Sequence, residues 1–227
     1  MNPIVWLHGA GLSSQTWSGR AEGLCLDLPG HGDRPRAARP EIAAYSDALL
    51  PDLPDRFALV GHSLGGMVAL DLAARFPERV YALVLAETAY SFQERKMDQR
   101  GTALAAWIAR RLGPQVVARL TAMGQKGASR KAARTEIAAT SRDGLADAMM
   151  AVHRWDGADL LPKIVAPTLV LVGRRNPRTH PQARIMAKRI SDARLMTIEA
   201  GHFLHTDAPH DFYPKIRDFV RSHSPVD

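Results

Sequence analysis

One hexapeptide restricts the fold of this chain more than any other feature of its sequence. The residues GHSLGG at positions 61–66 follow an apolar run, Phe57–Val60, and open a segment of helical character. A turn this tight between a strand and a helix strains its central residue, and the flanking glycines avoid steric clashes there. The turn also points the serine hydroxyl at the N-terminal end of the helix, where negative charge is favoured. The pattern therefore predicts a nucleophilic side chain at Ser63.

Short apolar runs and helical segments alternate along most of the chain. Six runs rich in Val, Ile and Leu predict buried strands: Pro3–Leu7, Gly23–Leu28, Phe57–Val60, Val80–Ala86, Thr168–Val172 and Leu195–Ile198. Helices are predicted at Ile42–Leu50, Leu64–Arg75, Pro181–Ile190 and Asp211–Arg221. This alternation predicts an α/β fold, with a mainly parallel sheet of about six strands flanked by helices.

The segment 91–161 interrupts this alternation. It contains no strand candidate, and apolar residues such as Leu104 and Ile108 recur there at helical spacing. Glycine and proline residues divide the segment into shorter pieces. We predict that it forms a helical cap inserted after the fourth strand, on a core made of residues 1–90 and 162–227.

The bulk composition suits one globular domain with an insertion. The chain has 227 residues, of which 46% are hydrophobic and 23% charged, and its single cysteine cannot form an internal disulfide. No apolar run approaches the roughly 18 residues of a membrane span, and the first residues lack the basic and apolar parts of a secretory signal. We therefore expect a cytoplasmic protein, a monomer or homodimer, that does not bind membranes.

The net charge of +7 raises the question of an anionic partner. The basic residues are dispersed, with a mild enrichment between Arg95 and Arg142, and no zinc-ligand spacing or RNA-binding signature is present. We interpret the charge as a solvated basic surface and expect no nucleic-acid partner. Recruitment of an anionic substrate, such as a carboxylate or a CoA thioester, is the alternative interpretation.

Several motifs occur in a characteristic order. They are HGAG at 8–11, DLPGHG at 27–32, GHSLGG at 61–66, FPERV at 76–80, LVG at 171–173 and GH at 201–202, followed by Pro209. On these motifs, which span nearly the whole chain, the sequence resembles the α/β-hydrolase superfamily, in its compact bacterial esterase branch. The resemblance implies the α/β-hydrolase fold and catalysis by a serine, a histidine and an acid.

The resemblance assigns roles to particular residues. It implies that Ser63 is the nucleophile and that His202, near the C-terminus, is the general base, with the serine first and the histidine last in the chain. Acyl transfer also requires donors for the developing oxyanion, and we expect the backbone N–H groups of Leu64 and Ala10. The remaining pocket residues are expected to be His62, His31, Gly9 and Gly11.

The acid is where this sequence departs from the family pattern. The family usually places an aspartate a few residues after the strand that ends here at Val172, but this chain has Asn176 there. In a first interpretation, which we favour, the acid is Glu87 at the end of the preceding strand, as in haloalkane dehalogenases. In a second, Asn176 itself orients His202. In a third, the protein binds a ligand without hydrolysing it.

The expected reaction is hydrolysis of a small-molecule ester or thioester in two acyl-transfer steps. No metal or organic cofactor is expected. Two alternatives stay open at this point: cleavage of a carbon–carbon bond or a lyase reaction on a polar metabolite with the same residues, and a non-catalytic ligand-binding protein with a degraded triad.

Overall fold

Six strands form a single sheet in the part of the chain that the computed structural model describes, residues 3–225. They are β1 (Ile4–Leu7), β2 (Leu24–Leu26), β3 (Phe57–His62), β4 (Val80–Ala86), β5 (Thr168–Gly173) and β6 (Ala193–Ile198). The strand order is β2-β1-β3-β4-β5-β6, and every neighbouring pair is parallel. The predicted parallel sheet is confirmed. Residues 1–2 and 226–227, at the ends of the predicted core, lie outside the described residues.

Helices connect the strands and cover the sheet. They are α1 (Ile42–Leu49), α2 (Leu64–Arg75), α3 (Lys96–Leu112), α4 (Pro114–Met123), α5 (Gly127–Ala139), α6 (Arg142–Arg154), α7 (His180–Arg189), α8 (Leu204–Asp207) and α9 (Pro209–Ser222). The predicted helices correspond to α1, α2, α7 and α9, with ends that differ by one or two residues. Within residues 3–225, no helix is both long enough and apolar enough to cross a membrane.

The sheet separates two apolar layers, because successive side chains of a strand point to opposite faces. In β4, Leu83 and Leu85 pack with α1, α2 and α7 on one face. Val84 packs on the other face with α9, whose Phe212 and Ile216 are fully buried. This double cover explains why the central strands are continuous apolar runs.

The sixth strand is less covered than its apolar sequence predicts. β6 pairs only with β5, so it forms an edge of the sheet. Residues 194–197 are exposed, whereas every residue of β3, β4 and β5 is buried. The pairing with β5 holds β6 in parallel register although helices do not bury both of its faces.

Four helices, α3 to α6, lie between β4 and β5 and pack over the carboxyl edge of the sheet. Their apolar side chains form a third cluster that includes Leu12 and Phe203 from two loops of the core. Arg36 of the core also reaches Asp147 of α6, with two guanidinium nitrogens within 2.7 Å of one carboxylate oxygen. The cap is therefore attached to the core by apolar packing and by this ion pair.

We expect burial to determine how much each leucine of the sheet contributes to stability. Leu83→Ala in β4 removes a fully buried side chain and should lower the free energy of unfolding by about 2–5 kcal/mol. Leu195→Ala in β6, where the side chain is 37% exposed, should lower it by about 1 kcal/mol or less. Urea unfolding followed by circular dichroism measures both values, and equal losses would contradict the layered arrangement.

Candidate active site

The predicted catalytic residues follow four different strands. Ser63 comes directly after β3 and Glu87 directly after β4, while Asn176 and His202 lie three and four residues after the ends of β5 and β6. The carboxyl ends of parallel strands meet at one edge of a sheet, which is where ligands bind in α/β folds. The topology therefore brings residues that are up to 139 positions apart in the sequence to a single edge.

Ser63 has the strained backbone that the sequence predicts for the turn. Its φ is +53°, and its N–H donates to the carbonyl of Ala86 at 2.9 Å. A Cβ at Gly61 would lie 2.3 Å from the carbonyl oxygen of Gly65, and one at Gly65 would lie 2.3 Å from that of Leu7. Only glycine fits at these two positions. The serine side chain is half-buried, and its hydroxyl is free of hydrogen bonds to residues 3–225.

Glu87 also has a positive φ, +48°, and its carboxylate is surrounded by donors. Oε1 accepts a hydrogen bond from the N–H of Gly173. Oε2 accepts from Asn176 Nδ2 at 2.5 Å and from the hydroxyl of Thr179 at 3.0 Å, and it lies 3.3 Å from His202 Nδ1. The side chain is almost fully buried, so these donors replace the water that an ionised carboxylate requires.

Asn176 lies between Glu87 and His202, and its chemistry separates the two interpretations of the acid. Its Nδ2 is 2.5 Å from Glu87 Oε2 and 3.4 Å from His202 Nδ1. An amide nitrogen donates and cannot accept the Nδ1–H proton of an imidazole, whereas a carboxylate oxygen can. The geometry favours Glu87 as the acceptor for His202, with Asn176 as a donor that positions Glu87.

The predicted oxyanion donors lie on either side of Ser63. Leu64 is the first residue of α2, and Ala10 belongs to the loop after β1. A Cβ at the neighbouring Gly9 would lie 3.2 Å from Ser63 Cβ, so this loop contacts the serine directly. Within residues 3–225, neither the Leu64 nor the Ala10 N–H donates to another group. Both are available to a substrate oxygen.

His62 and His31, predicted to line the pocket, are almost fully buried beside it. His62 Nε2–H donates to the carbonyl of His202 at 2.8 Å, and the two rings are 5.0 Å apart. His31 Nε2 accepts the N–H of Gly11 at 3.0 Å. Burial, together with the neighbouring imidazole of His202, holds the pKa of His62 well below its ordinary value, and burial also lowers the pKa of His31. Both rings therefore act as neutral supports of the loops around Ser63.

Three supporting residues were missed by the sequence analysis. His8 donates through Nδ1 to the carbonyl of Gly9 at 2.8 Å and accepts the N–H of Leu28 at 3.0 Å. His205 Nε2 lies 3.0 Å from the hydroxyl of Thr16. The third is Thr179, the donor to Glu87. Only His8 had a signal, its place in the HGAG motif, because the other contacts depend on tertiary structure. Among residues 3–225, no three His, Cys, Asp or Glu side chains are grouped as metal ligands.

A cleft of about 690 Å³ opens beside Thr179, between the start of α3 and α7. Its walls include Tyr90, Met97 and Gln182, and neither Ser63 nor His202 lines it. The cleft therefore borders Thr179, a donor to Glu87, without including the serine or the imidazole in its walls.

A parallel sheet with a serine at a strained turn after one strand and a histidine after the last strand defines an α/β hydrolase. A profile of the alpha/beta hydrolase family matches residues 4–215, so the chain belongs to this family, as its motifs predict.

Curated relatives and solved structures extend the comparison. The chain is 32% identical over 239 residues to the pimeloyl-[acyl-carrier protein] methyl ester esterase of Chromobacterium violaceum, a match that covers 96% of this chain and 91% of the relative. The protein of the same name from Aromatoleum aromaticum is 48% identical over 99 residues, 40% of this chain and only 39% of that relative. The enol-lactonase of Burkholderia xenovorans shares the fold, with a TM-score of 0.86 at 23% identity and coverage of 97% and 92%.

The buried imidazoles should make folding sensitive to acid. Burial is the main cause that lowers the pKa of His8 and of His205 from 6.5 to about 3, with the imidazoles of His31 and His202, respectively, adding to it. Between pH 6.5 and about 3 the unfolded chain binds protons at these rings and the folded protein does not. The free energy of unfolding should therefore decrease as the pH is lowered through this range, by about 1.4 kcal/mol per pH unit for each ring.

Urea unfolding at pH 7, 6 and 5 tests this expectation. His205→Gln removes one of the two rings and should reduce the steepness of the pH dependence by about the contribution of one ring. An unchanged steepness would contradict the assignment of His205 as a buried neutral group.

Proposed function

We propose that the protein is a serine hydrolase that cleaves a carboxylic ester through an acyl-enzyme on Ser63. The observation that carries the proposal is the 3.3 Å contact between Glu87 Oε2 and His202 Nδ1, beside the serine turn. This contact fixes the tautomer in which Nδ1 carries the proton and leaves Nε2 as the free base. The ester hydrolase name of the relative that is 32% identical agrees with the class predicted from the sequence.

The proposed reaction uses the same groups in both halves. His202 removes the proton of the Ser63 hydroxyl, and the oxygen attacks the ester carbonyl. The N–H groups of Leu64 and Ala10 stabilise the oxyanion. His202 then protonates the leaving alcohol and activates a water molecule, which releases the acid from Ser63.

Glu87 stabilises the imidazolium that forms at His202 during both halves. Its carboxylate accepts hydrogen bonds from the N–H of Gly173, the amide of Asn176 and the hydroxyl of Thr179. In the proposed triad the carboxylate lies at the end of β4 rather than in the loop after β5, where Asn176 supplies a neutral donor. This arrangement supports a complete triad rather than a degraded one.

We further propose that the ester is presented on a carrier protein with an acidic surface. The names of the relatives give a methyl ester of an acyl-carrier protein as their own substrate. A groove of about 390 Å³ on the cap, between α4 and α5, is lined by Arg119, Arg130, Arg134 and the exposed Met123. None of the three guanidinium groups has an acidic partner among residues 3–225. Unpaired cations beside an apolar side chain suit an acidic protein surface.

The first prediction for this function concerns the acid. Glu87→Gln should lower kcat for a p-nitrophenyl ester by about 10⁴-fold, because the imidazolium loses its counter-charge. Asn176→Ala should lower it by only about tenfold, because one donor to Glu87 is lost. In the double variant Glu87→Gln/Asn176→Asp, a carboxylate returns to within reach of His202 Nδ1, and part of the activity should return.

Steady-state kinetics and labelling with a fluorophosphonate probe are the measurements. Ser63→Ala is the control, and it should abolish both hydrolysis and labelling. If Asn176→Ala is the more damaging single substitution, Glu87 is not the acid. If wild type is labelled but turns over no ester, the protein is not a hydrolase of this class.

The second prediction concerns the carrier protein. Arg119→Glu/Arg134→Glu should raise KM for a carrier-borne methyl ester by at least about tenfold, most strongly at low salt. Hydrolysis of a p-nitrophenyl ester should not change, because that substrate does not contact the groove. Arg194→Glu on the exposed edge strand is the matched control and should behave as wild type. An equal effect of Arg194→Glu would remove the groove from the proposal.

A further inference from the structure

The oxyanion loop is held by hydrogen bonds that pass from one peptide plane to the next. The carbonyl of Gly9 belongs to the same peptide plane as the Ala10 N–H, and it accepts the N–H of Leu12 at 3.1 Å. That N–H shares its plane with the carbonyl of Gly11. This carbonyl accepts the hydroxyl of Thr140 at 2.9 Å. Because peptide groups are planar, the contact of Thr140 with the Gly11 carbonyl orients the Leu12 N–H. The Leu12 N–H and the ring of His8, which donates to the same carbonyl at 2.8 Å, together hold the Gly9 carbonyl and with it the direction of the Ala10 N–H.

Thr140 belongs to the cap, not to the core that carries the catalytic residues. It is the residue that ends α5, and the Ile137 side chain of the same helix lies about 3 Å from the position of a Cβ on Gly11. At its other end α5 is attached to α8, the short helix that follows His202, where the Ser129 hydroxyl donates to Asp207. Asp207 also accepts the N–H of Gly201, which precedes the predicted base. The helix therefore bridges the loop of the predicted base and the loop of the predicted oxyanion donor.

The hydroxyl of Thr140 has a second acceptor on its own helix. It lies 3.3 Å from the carbonyl of Glu136, so it has a partner whether or not it contacts the loop. The contact with Gly11 can therefore form and break without leaving this half-buried hydroxyl unpaired. Gly11 itself has a φ of +75°, in the left-handed region that glycine enters readily. Because the glycine backbone can adopt several conformations, the direction of its carbonyl depends on the contacts of the loop.

We propose that Thr140 is a positioning residue for the oxyanion hole, which couples the seating of cap helix α5 to the direction of the Ala10 N–H. A hydrogen bond donated to the Gly11 carbonyl also polarises the Leu12 N–H in the same amide, which strengthens its bond to Gly9. The inference rests on the proposed acyl transfer at Ser63. It adds the hydroxyl of Thr140, a residue of the cap, as the group that orients the oxyanion loop.

Thr140→Val tests this role with a substitution of nearly equal shape. It should lower kcat for a p-nitrophenyl ester by about tenfold with little change in KM, which is less than the loss of about 10²–10³-fold when an oxyanion donor is removed outright. Thr140→Ser keeps the hydroxyl and should restore kcat. Thr135→Val is the matched control, because the exposed Thr135 donates only to the carbonyls of Lys131 and Ala132 in its own helix.

A trifluoromethyl ketone reports on the oxyanion hole itself. Ser63 Oγ adds to the ketone carbon, the proton passes to His202, and the carbonyl oxygen becomes an anion in the hole. The affinity of Thr140→Val for this inhibitor should fall by the same factor as kcat. A residue with only a structural role would leave the affinity and kcat unchanged while lowering the midpoint of thermal unfolding.

Hydrogen–deuterium exchange of a peptide that contains residues 8–17 gives a measurement independent of catalysis. Exchange of the Leu12 N–H should be faster in Thr140→Val than in wild type or Thr135→Val. If wild type hydrolyses esters and Thr140→Val changes neither kcat, inhibitor affinity nor exchange, the inference is wrong. If wild type hydrolyses no ester but exchange still changes, the proposed function fails and the coupling between cap and loop stands.

Discussion

The contact between the backbones of β3 and α2 at the serine turn is the constraint on which the rest of the site depends. Gly61 approaches the carbonyl of Gly65, and Gly65 approaches that of Leu7 in β1, so closely that neither position has room for a Cβ. Ser63, between the two glycines, keeps a φ of +53°. This strained turn raises the serine side chain above the sheet. Helix α2 begins at the next residue, Leu64, whose N–H has no acceptor among residues 3–225. The residues proposed as base, acid and oxyanion donors then lie on the loops at the same edge of the sheet as this serine.

The proposed acid is subject to a different constraint, because a carboxylate away from water needs hydrogen-bond donors in place of water. Glu87 is almost fully buried, and donors from Gly173, Asn176 and Thr179 surround it. A lone buried carboxylate would be neutral, and a neutral acid would not stabilise an imidazolium. The asparagine at the usual acid position therefore has a function in the proposed site, because it is one of the groups that make Glu87 usable as the acid.

The fold and the loops of the site differ in how much of them the sequence predicts. Strand positions, the parallel sheet and the helical insertion follow from apolar runs and their spacing, and the family follows from motifs such as HGAG and GHSLGG. The exposure of β6 was not predictable, because an apolar run does not tell whether its strand lies at an edge. Glu87 was foreseen as one of several alternatives, but Thr179 and Thr140 carry no motif. Their roles depend on distances between loops that only tertiary packing sets.

Glu87 supplies one charge, and several neutral donors support it. This division affects how the protein can evolve. A single carboxylate cannot be replaced without the loss of the charge, whereas each neutral donor around Glu87 contributes only part of its support. The loop between β5 and α7, which supplies Asn176 and Thr179, can thus accumulate substitutions one at a time while Glu87 stays fixed. Sequence drift in that loop, which borders the cleft beside Thr179, is a route by which related chains could acquire new specificities without rebuilding the triad.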